Sequence, residues 1–337
     1  MKERESNMEL LRIISMVLVM VVHADFKALG IPSNFEIAVF PVSSFMRFLT
    51  ESVSIICVNS FILISGWFGI KFKLLRLGEL LFQILFFVVI MCCVLGMVNK
   101  LYIEDLIRFF CDDYWFIMAY IIMYLFAPSL NYFVVNESKR TIEVFLVLFF
   151  LFQTVFGFMT SLSWFSRGYS PISFMGLYVL GRYMHLYPTF TKQKRSVYIL
   201  TYLTMVILTT CFAYFLFLIE ASPYYAYSYS SPLVIIGSVS FFLFFTKLSC
   251  KSRIINWIGI SCFSIYLVHC FPVFFENVYL YSIKEWFDNL STLFFLVCTF
   301  LWILLFLVVS VFFDKIRIYL WYKTSNHFGW YNWKELG

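Results

Sequence analysis

The sequence predicts an all-α integral membrane protein, a bundle of about ten transmembrane helices. Of its 337 residues, 62% are hydrophobic and 13% are charged, whereas a soluble domain carries about 25% charged residues. Apolar runs of span length recur along the chain, and basic residues concentrate in every second loop between them. Because so few charges cannot cover a globule of this size, lipid has to be the solvent for most of the surface.

Ten apolar runs approach or reach the roughly 17–25 residues that cross a hydrocarbon core of about 30 Å. They cover residues 8–26, 45–67, 77–98, 114–134, 143–159, 171–187, 197–219, 232–247, 254–275 and 290–313. We expect one transmembrane domain over residues 1–318, followed by a basic, Trp-rich tail over residues 319–337 along the cytoplasmic interface. No small-residue cleavage site follows the first run, so we expect it to be retained as a span.

The basic residues orient these spans. One set of alternate segments holds 18 of the 25 lysines and arginines, and the opposite set holds six. The 18 are Lys2 and Arg4; Lys71, Lys73 and Arg76; Lys139 and Arg140; Arg182, Lys192, Lys194 and Arg195; Lys247, Lys251 and Arg253; and Lys315, Arg317, Lys323 and Lys334. The positive-inside rule then places both termini in the cytoplasm, which fits an even number of spans.

The opposite loops are acidic and aromatic, and residues 224–229 hold four tyrosines. Tyrosines at this level are typical of an interfacial aromatic belt. A surface on which sugar rings stack is the alternative, and the sequence leaves both open.

Composition and motifs exclude several classes of protein. The net charge of +6 is spread over short loops, so we expect no nucleic-acid partner. The nine cysteines form no C-x-x-C pair, which predicts neither a metal site nor a disulfide framework. The chain contains no P-loop, G-x-G-x-x-G, H-E-x-x-H or G-x-S-x-G motif.

The first span carries two ionisable residues, Arg12 and His23, eleven positions apart. Eleven helical steps make about three turns plus 20°, so both side chains point the same way, roughly 16 Å apart along the axis. Ionisable groups within a span often mark functional sites. The alternatives are an arginine that snorkels to the inner interface and a histidine at the outer interface.

Other polar residues fall at the depth of His23, namely Glu51, Trp115, Tyr266 and His269. They are candidates for one catalytic layer in the outer third of the membrane. Glu51 equally fits an ion pair with Arg47, one turn earlier. His269 equally fits a histidine whose hydrogen bonds are satisfied in the protein core.

A second group lies on the cytoplasmic side, where the second span ends at Ser65 and Gly66. Glycine there allows a close backbone approach, and the following cations Lys71, Lys73 and Arg76 suit phosphates. The alternative is an ordinary basic inner loop.

These residues resemble the acyltransferase 3 family of membrane proteins, in particular its stand-alone bacterial members that O-acetylate surface polysaccharides. The similarity follows the family's order over almost the whole chain, and the ten residues between Arg12 and His23 are its most specific part. The matching stretches are Asn7–Arg12, Cys57–Trp67, Tyr114–Tyr120, Phe174–Gly181 and Ser264–His269.

The resemblance implies a multi-pass acyltransferase of the bacterial cytoplasmic membrane. It implies acyl-coenzyme A, usually acetyl, as the cytoplasmic donor and a polysaccharide hydroxyl as the acceptor. Arg12 would contact coenzyme A phosphate and His23 would be the catalytic histidine. We expect Glu51 or His269 to orient His23. Ser65, Gly66, Lys71, Lys73 and Arg76 would complete the donor site, and Trp115, Tyr120 and Tyr266 would contact the acceptor.

Two other functions compete with this reading. Intramembrane histidine and glutamate also suit the proton relay of a secondary transporter or exporter, although the sequence shows neither inverted repeats nor paired broken helices. A structural membrane subunit explains the composition but not the spacing of Arg12 and His23. The acceptor and the oligomeric state, a homo-oligomer included, are left open by the sequence.

Overall fold

The computed structural model describes residues 5–97, 114–160 and 162–327. Every regular element in these ranges is a helix. The chain divides into two compact units. The first unit comprises Met1–Met16, Phe72–Tyr114 and Cys250–Gly337, and the second comprises Val17–Lys71 and Trp115–Ser249.

Fifteen α-helices are described, and three of them pass into π-helical turns. In chain order they are α1 (Ser6–Val22), α2 (Asn34–Val39), α3 (Pro41–Ser54), α4 (Cys57–Phe68), α5 (Leu74–Met97), α6 (Trp115–Asn136), α7 (Lys139–Phe152), α8 (Pro171–Leu186), α9 (Arg195–Leu218), α10 (Pro232–Thr246), α11 (Arg253–Gly259), α12 (Cys262–His269), α13 (Pro272–Phe274), α14 (Tyr281–Asn289) and α15 (Thr292–His327). The π-helical turns are His23–Lys27, Gln153–Met159 and Phe275–Leu280.

The predicted all-helical membrane character is confirmed, and helices lie on all ten predicted runs. Among the described residues, six helical segments are long and apolar enough to cross a membrane. They are Pro41–Phe68, Leu74–Met97, Trp115–Asn136, Lys139–Met159, Arg195–Leu218 and Thr292–Ser325. A seventh is a bent pair, Cys262–His269 with Pro272–Asn289, at 74°. The total of ten spans stays a prediction.

The ninth predicted run, residues 254–275, is not one straight helix. It is divided into α11, α12 and α13. Pro272 begins the last of these pieces, and a proline has no N–H to continue the preceding helix. The apolar pattern predicted the length of the run but not the breaks within it.

Exposed apolar side chains distinguish α15 of the first unit from the α3–α4 segment of the second. On α15, Leu293, Phe300 and Val308 are 70%, 66% and 55% exposed. The central stretch of the α3–α4 segment is 72% buried, compared with 22% for α15. Apolar exposure on this scale needs an apolar surrounding, whereas α3 and α4 form the core of the second unit.

Glycines set the close packing of α4 on α8 in the second unit. A Cβ atom added to Gly66 would lie 2.2 Å from the Tyr178 carbonyl oxygen, and one added to Gly181 would lie 2.6 Å from the Leu63 carbonyl oxygen. The close approach predicted at Gly66 is therefore present, and the approaching backbone is that of α8. Any side chain at either position would push the two helices apart.

A buried ion pair ties α15 to α5 in the first unit. The Nε and Nη2 atoms of Arg317 lie 3.0 and 2.9 Å from the Asp314 carboxylate, and the Gln83 amide donates to the same carboxylate at 2.9 Å. The sequence placed Arg317 in an inner loop, but α15 continues past residue 313 to His327. Arg317 stays inside because Asp314, one turn away, neutralises it. Residues 328–337 of the predicted tail lie outside the described residues.

We expect Asp314→Ala to destabilise the protein by about 3–5 kcal/mol, because Arg317 would lose its nearest counter-charge in a buried site. The double variant Asp314→Ala/Arg317→Met should recover most of that loss. Thermal unfolding in detergent measures both variants against wild type. An Asp314→Ala protein as stable as wild type would contradict this role.

Candidate functional site

His23 stands where the first helix changes its hydrogen bonding. The α-helix ends at Val22, and a π-helical turn begins at His23 and runs to Lys27. Residues 24–26 are buried and His23 is half-buried. The chain is thus helical throughout the spacing between Arg12 and His23. Turns of this kind within an α-helix are frequent at functional sites.

Arg47 of α3 binds the segment that follows His23 at three points. Its Nε donates to Asp25 Oδ1 at 2.9 Å, its Nη1 donates to Glu36 Oε1 at 3.4 Å, and its Nη2 donates to the Gly30 carbonyl. We call these four residues the Arg47 clamp. Three hydrogen-bond partners of Arg47 thus lie on this segment, and both Arg47 and Asp25 are buried.

Glu36 joins the clamp through a well-formed helix start. Ser33 and Glu36 make a capping box at the beginning of α2, with each side chain bonded to the other's backbone N–H. Burial raises the pKa of Glu36, but the hydrogen bonds from Ser33 and the charge of Arg47 outweigh this and lower the pKa below its ordinary value. Glu36 therefore stays ionised beside Arg47 at neutral pH.

Glu51 lies one turn beyond Arg47 and is 4% exposed. The backbone N–H of Phe26 donates to its carboxylate, and the charges of Arg47 and Asp25 act on it. Its Oε2 atom has no hydrogen-bond partner among the described residues. The catalytic role of Glu51 stays a prediction.

Three aromatic rings, Trp115, Tyr169 and Tyr229, form what we call the aromatic wall. The ring of Tyr169 lies 4.5 Å from that of Trp115 and 4.9 Å from that of Tyr229. Burial raises the pKa of Tyr229, and the nearby Glu51 adds to the effect. Glu51 and Trp115, predicted to share one level, thus both lie near Tyr229.

Asn59 of α4 joins the same region. Its Nδ2 donates to the Tyr229 carbonyl at 3.1 Å, while its Oδ1 has no partner among the described residues. Tyr227 and Tyr229 are only 3% and 5% exposed, so neither belongs to an interfacial belt. Tyr224, which is 45% exposed, still fits one.

The other end of α4 carries cations. The Arg182 guanidinium of α8 lies against Gly69, where an added Cβ would be 3.0 Å from Cζ. Its Nη1 donates to the Trp67 carbonyl at 3.4 Å, and its buried Nε has no acceptor among the described residues. Lys71, two residues beyond Gly69, is exposed. We call Arg182 and Lys71 the Arg182 cluster.

The remaining predicted residues of the second unit lie near this cluster. The hydroxyl groups of Ser65 and Tyr120 are 3.5 Å apart. A residue predicted to bind acyl-coenzyme A is therefore in contact with one predicted to bind the acceptor substrate. Gly66 packs against α8, as described above. The assignment of these three residues to substrates stays a prediction.

The first unit holds the other predicted residues, among them His269. His269 is fully buried, and its Nδ1 donates to the Ile265 carbonyl at 2.7 Å. Its Nε2 therefore faces the Cys270 thiol, at 3.2 Å, with a lone pair when the ring is neutral. Tyr266 packs edge-on against His269, with ring centroids 6.1 Å apart. Two neighbours for two ring nitrogens fit the alternative of a satisfied core histidine. The catalytic role of His269 stays a prediction.

Arg12, Lys73 and Arg76 are the predicted phosphate contacts in the first unit. Lys73 and Arg76 are exposed. Arg12 forms an ion pair with Glu9, which is 3% exposed and packs against Gly259, where an added Cβ would lie 2.4 Å from Glu9 Oε2. Arg12 thus neutralises a buried carboxylate, whether or not it also binds a phosphate.

Sequence reasoning did not select several residues of these clusters. Arg47 carried a signal in its i, i+4 spacing to Glu51, and Arg182 carried one by following the Phe174–Gly181 stretch. Asn59 was inside a matching stretch, but nothing distinguished it from its neighbours. Tyr169 has no sequence signal, because its place in the wall depends on a contact with Tyr229, sixty residues away.

We expect Arg47→Met to release residues 28–40 from the protein, because the clamp loses all three hydrogen bonds. Amide hydrogen exchange should speed up there and in the turn at His23, but not in α9. Arg47→Lys keeps the charge but lacks the guanidinium fork, so its exchange should be intermediate. Unchanged exchange in Arg47→Met would show that the clamp holds nothing in place.

Comparison with known proteins gives one informative result. No curated protein and no solved structure gives a significant match to this chain. The model of the acyltransferase 3 family, described as an acyltransferase domain, matches residues 5–329. That match takes in both units and every predicted site residue, so the chain belongs to the acyltransferase 3 family of membrane acyltransferases.

Proposed function

We propose that this protein transfers an acyl group, acetyl in the first instance, from cytoplasmic acyl-coenzyme A to a hydroxyl of a cell-surface or exported polysaccharide or its lipid-linked precursor. One observation carries the proposal beyond the family. The Arg47 clamp with Glu51 and the Arg182 cluster lie toward opposite ends of α3–α4. Gly69 lies eighteen positions after Glu51, roughly 27 Å at the rise of a helix across the two-residue break between α3 and α4, which is close to a hydrocarbon core of about 30 Å.

The site that binds acyl-coenzyme A is assigned to the end of α3–α4 near which Arg182 and Lys71 lie. Phosphates bind best to guanidinium and ammonium groups, and Arg182 Nε is a buried donor that lacks an acceptor among the described residues. The sequence adds Arg12, Lys73 and Arg76 to the same function. The excess of basic residues in these segments supports a cytoplasmic location for this end, with both termini on that side.

His23 is assigned as the general base at the other end. It takes the proton from the acceptor hydroxyl as the oxygen attacks the thioester carbonyl carbon. The carbon–sulfur bond breaks, an ester forms, and the coenzyme A thiolate leaves and recovers the proton from the imidazolium. Neutral imidazole suits this role because its ordinary pKa is close to the working pH. Attack by His23 itself, through an acyl-histidine, is the alternative route.

We expect His23→Ala to lower acyl transfer at least about 100-fold, the usual contribution of a positioned general base. Mass spectrometry of surface glycans measures the loss of the acetyl increment, and calorimetry with purified protein should show unchanged coenzyme A affinity. Full acetylation by this variant would refute the role of His23. Substrate flux into vesicles without consumption of acyl-coenzyme A would instead support a transporter.

We expect Arg182→Gln to raise the KM for acetyl-coenzyme A roughly tenfold with little change in kcat, because a phosphate contact is equally strong before and during the reaction. The KM of Arg182→Lys for acetyl-coenzyme A should lie between those of wild type and Arg182→Gln. The matched control is Arg195→Gln, since Arg195 is an exposed arginine at the start of α9. If the Arg182→Gln and Arg195→Gln variants had the same KM for acetyl-coenzyme A, Arg182 would be excluded from the site that binds the acyl donor.

A further inference from the structure

We infer that the aromatic wall is the subsite that holds a sugar ring of the acceptor, and that Glu51 and Asn59 accept hydrogen bonds from its hydroxyl groups. This inference rests on the proposed function, which already names a polysaccharide acceptor, and adds the residues that recognise one of its sugar rings. Tyr169 and Asn59 were not among the residues predicted from the sequence, whereas Tyr229 belongs to the tyrosine stretch for which a sugar-stacking surface was one of two alternatives. All of these residues belong to the second unit.

The wall has one open member and a buried backing. Tyr169 is 44% exposed, Trp115 is half-buried and Tyr229 is 5% exposed. The Tyr169 ring is tilted by 55° to Trp115 and by 53° to Tyr229, so the three rings do not stack face to face on one another. A pyranose ring has an apolar C–H face that packs on such aromatic surfaces, with its hydroxyls directed to the sides.

Two buried oxygens near the wall lack donors. Glu51 Oε2 and Asn59 Oδ1 have no hydrogen-bond partner among the described residues, and the two residues are 4% and 1% exposed. A buried acceptor without a donor costs free energy. A ligand rich in hydroxyl groups supplies the missing donors, whereas an apolar ligand would leave both oxygens unpaired. The polar residues therefore select for a polyhydroxylated acceptor.

The backbone that carries Tyr169 is held in an uncommon conformation against Tyr229. Ser166, Arg167 and Gly168 have φ values of 42°, 54° and 95°, and an added Cβ at Gly168 would lie 2.5 Å from Tyr229 Cβ. Backbone strain of this kind persists where the surroundings enforce it, often at binding sites.

Two hydrogen bonds supply that enforcement. The Arg167 carbonyl accepts from the Ser230 N–H at 3.3 Å and from the Ser228 hydroxyl at 3.0 Å. These hydrogen bonds join the loop that contains Arg167 to the loop that contains Ser228 and Ser230. They hold Tyr169 beside Tyr229. The wall is a preformed surface, which lowers the cost of ordering it when a sugar binds.

The test uses the purified full-length protein, acetyl-coenzyme A and the host's own surface glycan after chemical removal of its O-acetyl groups. Tyr169→Ala should weaken direct glycan binding and lower the kcat/KM for the glycan, each roughly tenfold, as expected for loss of an aromatic anchor. Tyr169→Phe keeps the ring and should behave as wild type. Trp164→Ala is the matched control, because Trp164 is a 73% exposed aromatic residue in the same connection. Acetyl-coenzyme A affinity should be the same in all four proteins.

The outcomes separate this inference from the proposed function. If wild type transfers acetyl groups and Tyr169→Ala binds the glycan as tightly as wild type does, the subsite is refuted and the transferase activity stands. An equal loss in Trp164→Ala would also refute it, because the effect would then not be specific to the wall. If wild type binds the glycan through Tyr169 but transfers nothing, the subsite stands and the proposed function fails.

Discussion

The second unit depends on the neutralisation of one buried guanidinium, that of Arg47. A buried charge is tolerated only with partners, and Arg47 finds three of them on the chain that leaves His23: the Asp25 carboxylate, the Gly30 carbonyl and the Glu36 carboxylate. The requirement to pair this charge therefore fixes the segment after the first helix. That segment begins directly after His23, and Glu51 follows Arg47 by one turn of α3.

Packing of small residues positions charge at the other end of the same helices. Gly66 and Gly181 bring the backbones of α4 and α8 together, and this close approach puts the side chain that follows Gly181, Arg182, over Gly69. The positive φ of Gly69, 68°, lets the chain turn beneath the guanidinium. Thus the Arg47 clamp with Glu51 lies toward one end of α3–α4, and the Arg182 cluster lies toward the other. In the proposed reaction the donor nucleotide binds at the second and the acyl group is delivered toward the first.

The sequence predicted the helices well because apolar runs of membrane length have few other physical explanations. It could not show the breaks in the ninth run or the burial of Arg317, since both depend on local partners rather than on average hydropathy. The same limit applies to the site. The spacing of Arg12 and His23 is a property of one helix and was visible, whereas the wall of Trp115, Tyr169 and Tyr229 joins three distant segments. From the sequence, Tyr229 fitted either an interfacial belt or a sugar-stacking surface, and only its burial and its contacts with Asn59 and Tyr169 exclude the belt.

The central claim is that donor and acceptor meet from opposite sides of the membrane, and its most direct test is a measurement of sidedness. The protein is reconstituted into sealed vesicles with acetyl-coenzyme A enclosed and the de-O-acetylated glycan outside, since neither compound crosses the bilayer unaided. We expect acetyl esters on the external glycan with the wild-type protein and none with His23→Ala. Transfer that occurs only when donor and glycan share a compartment would contradict the central claim.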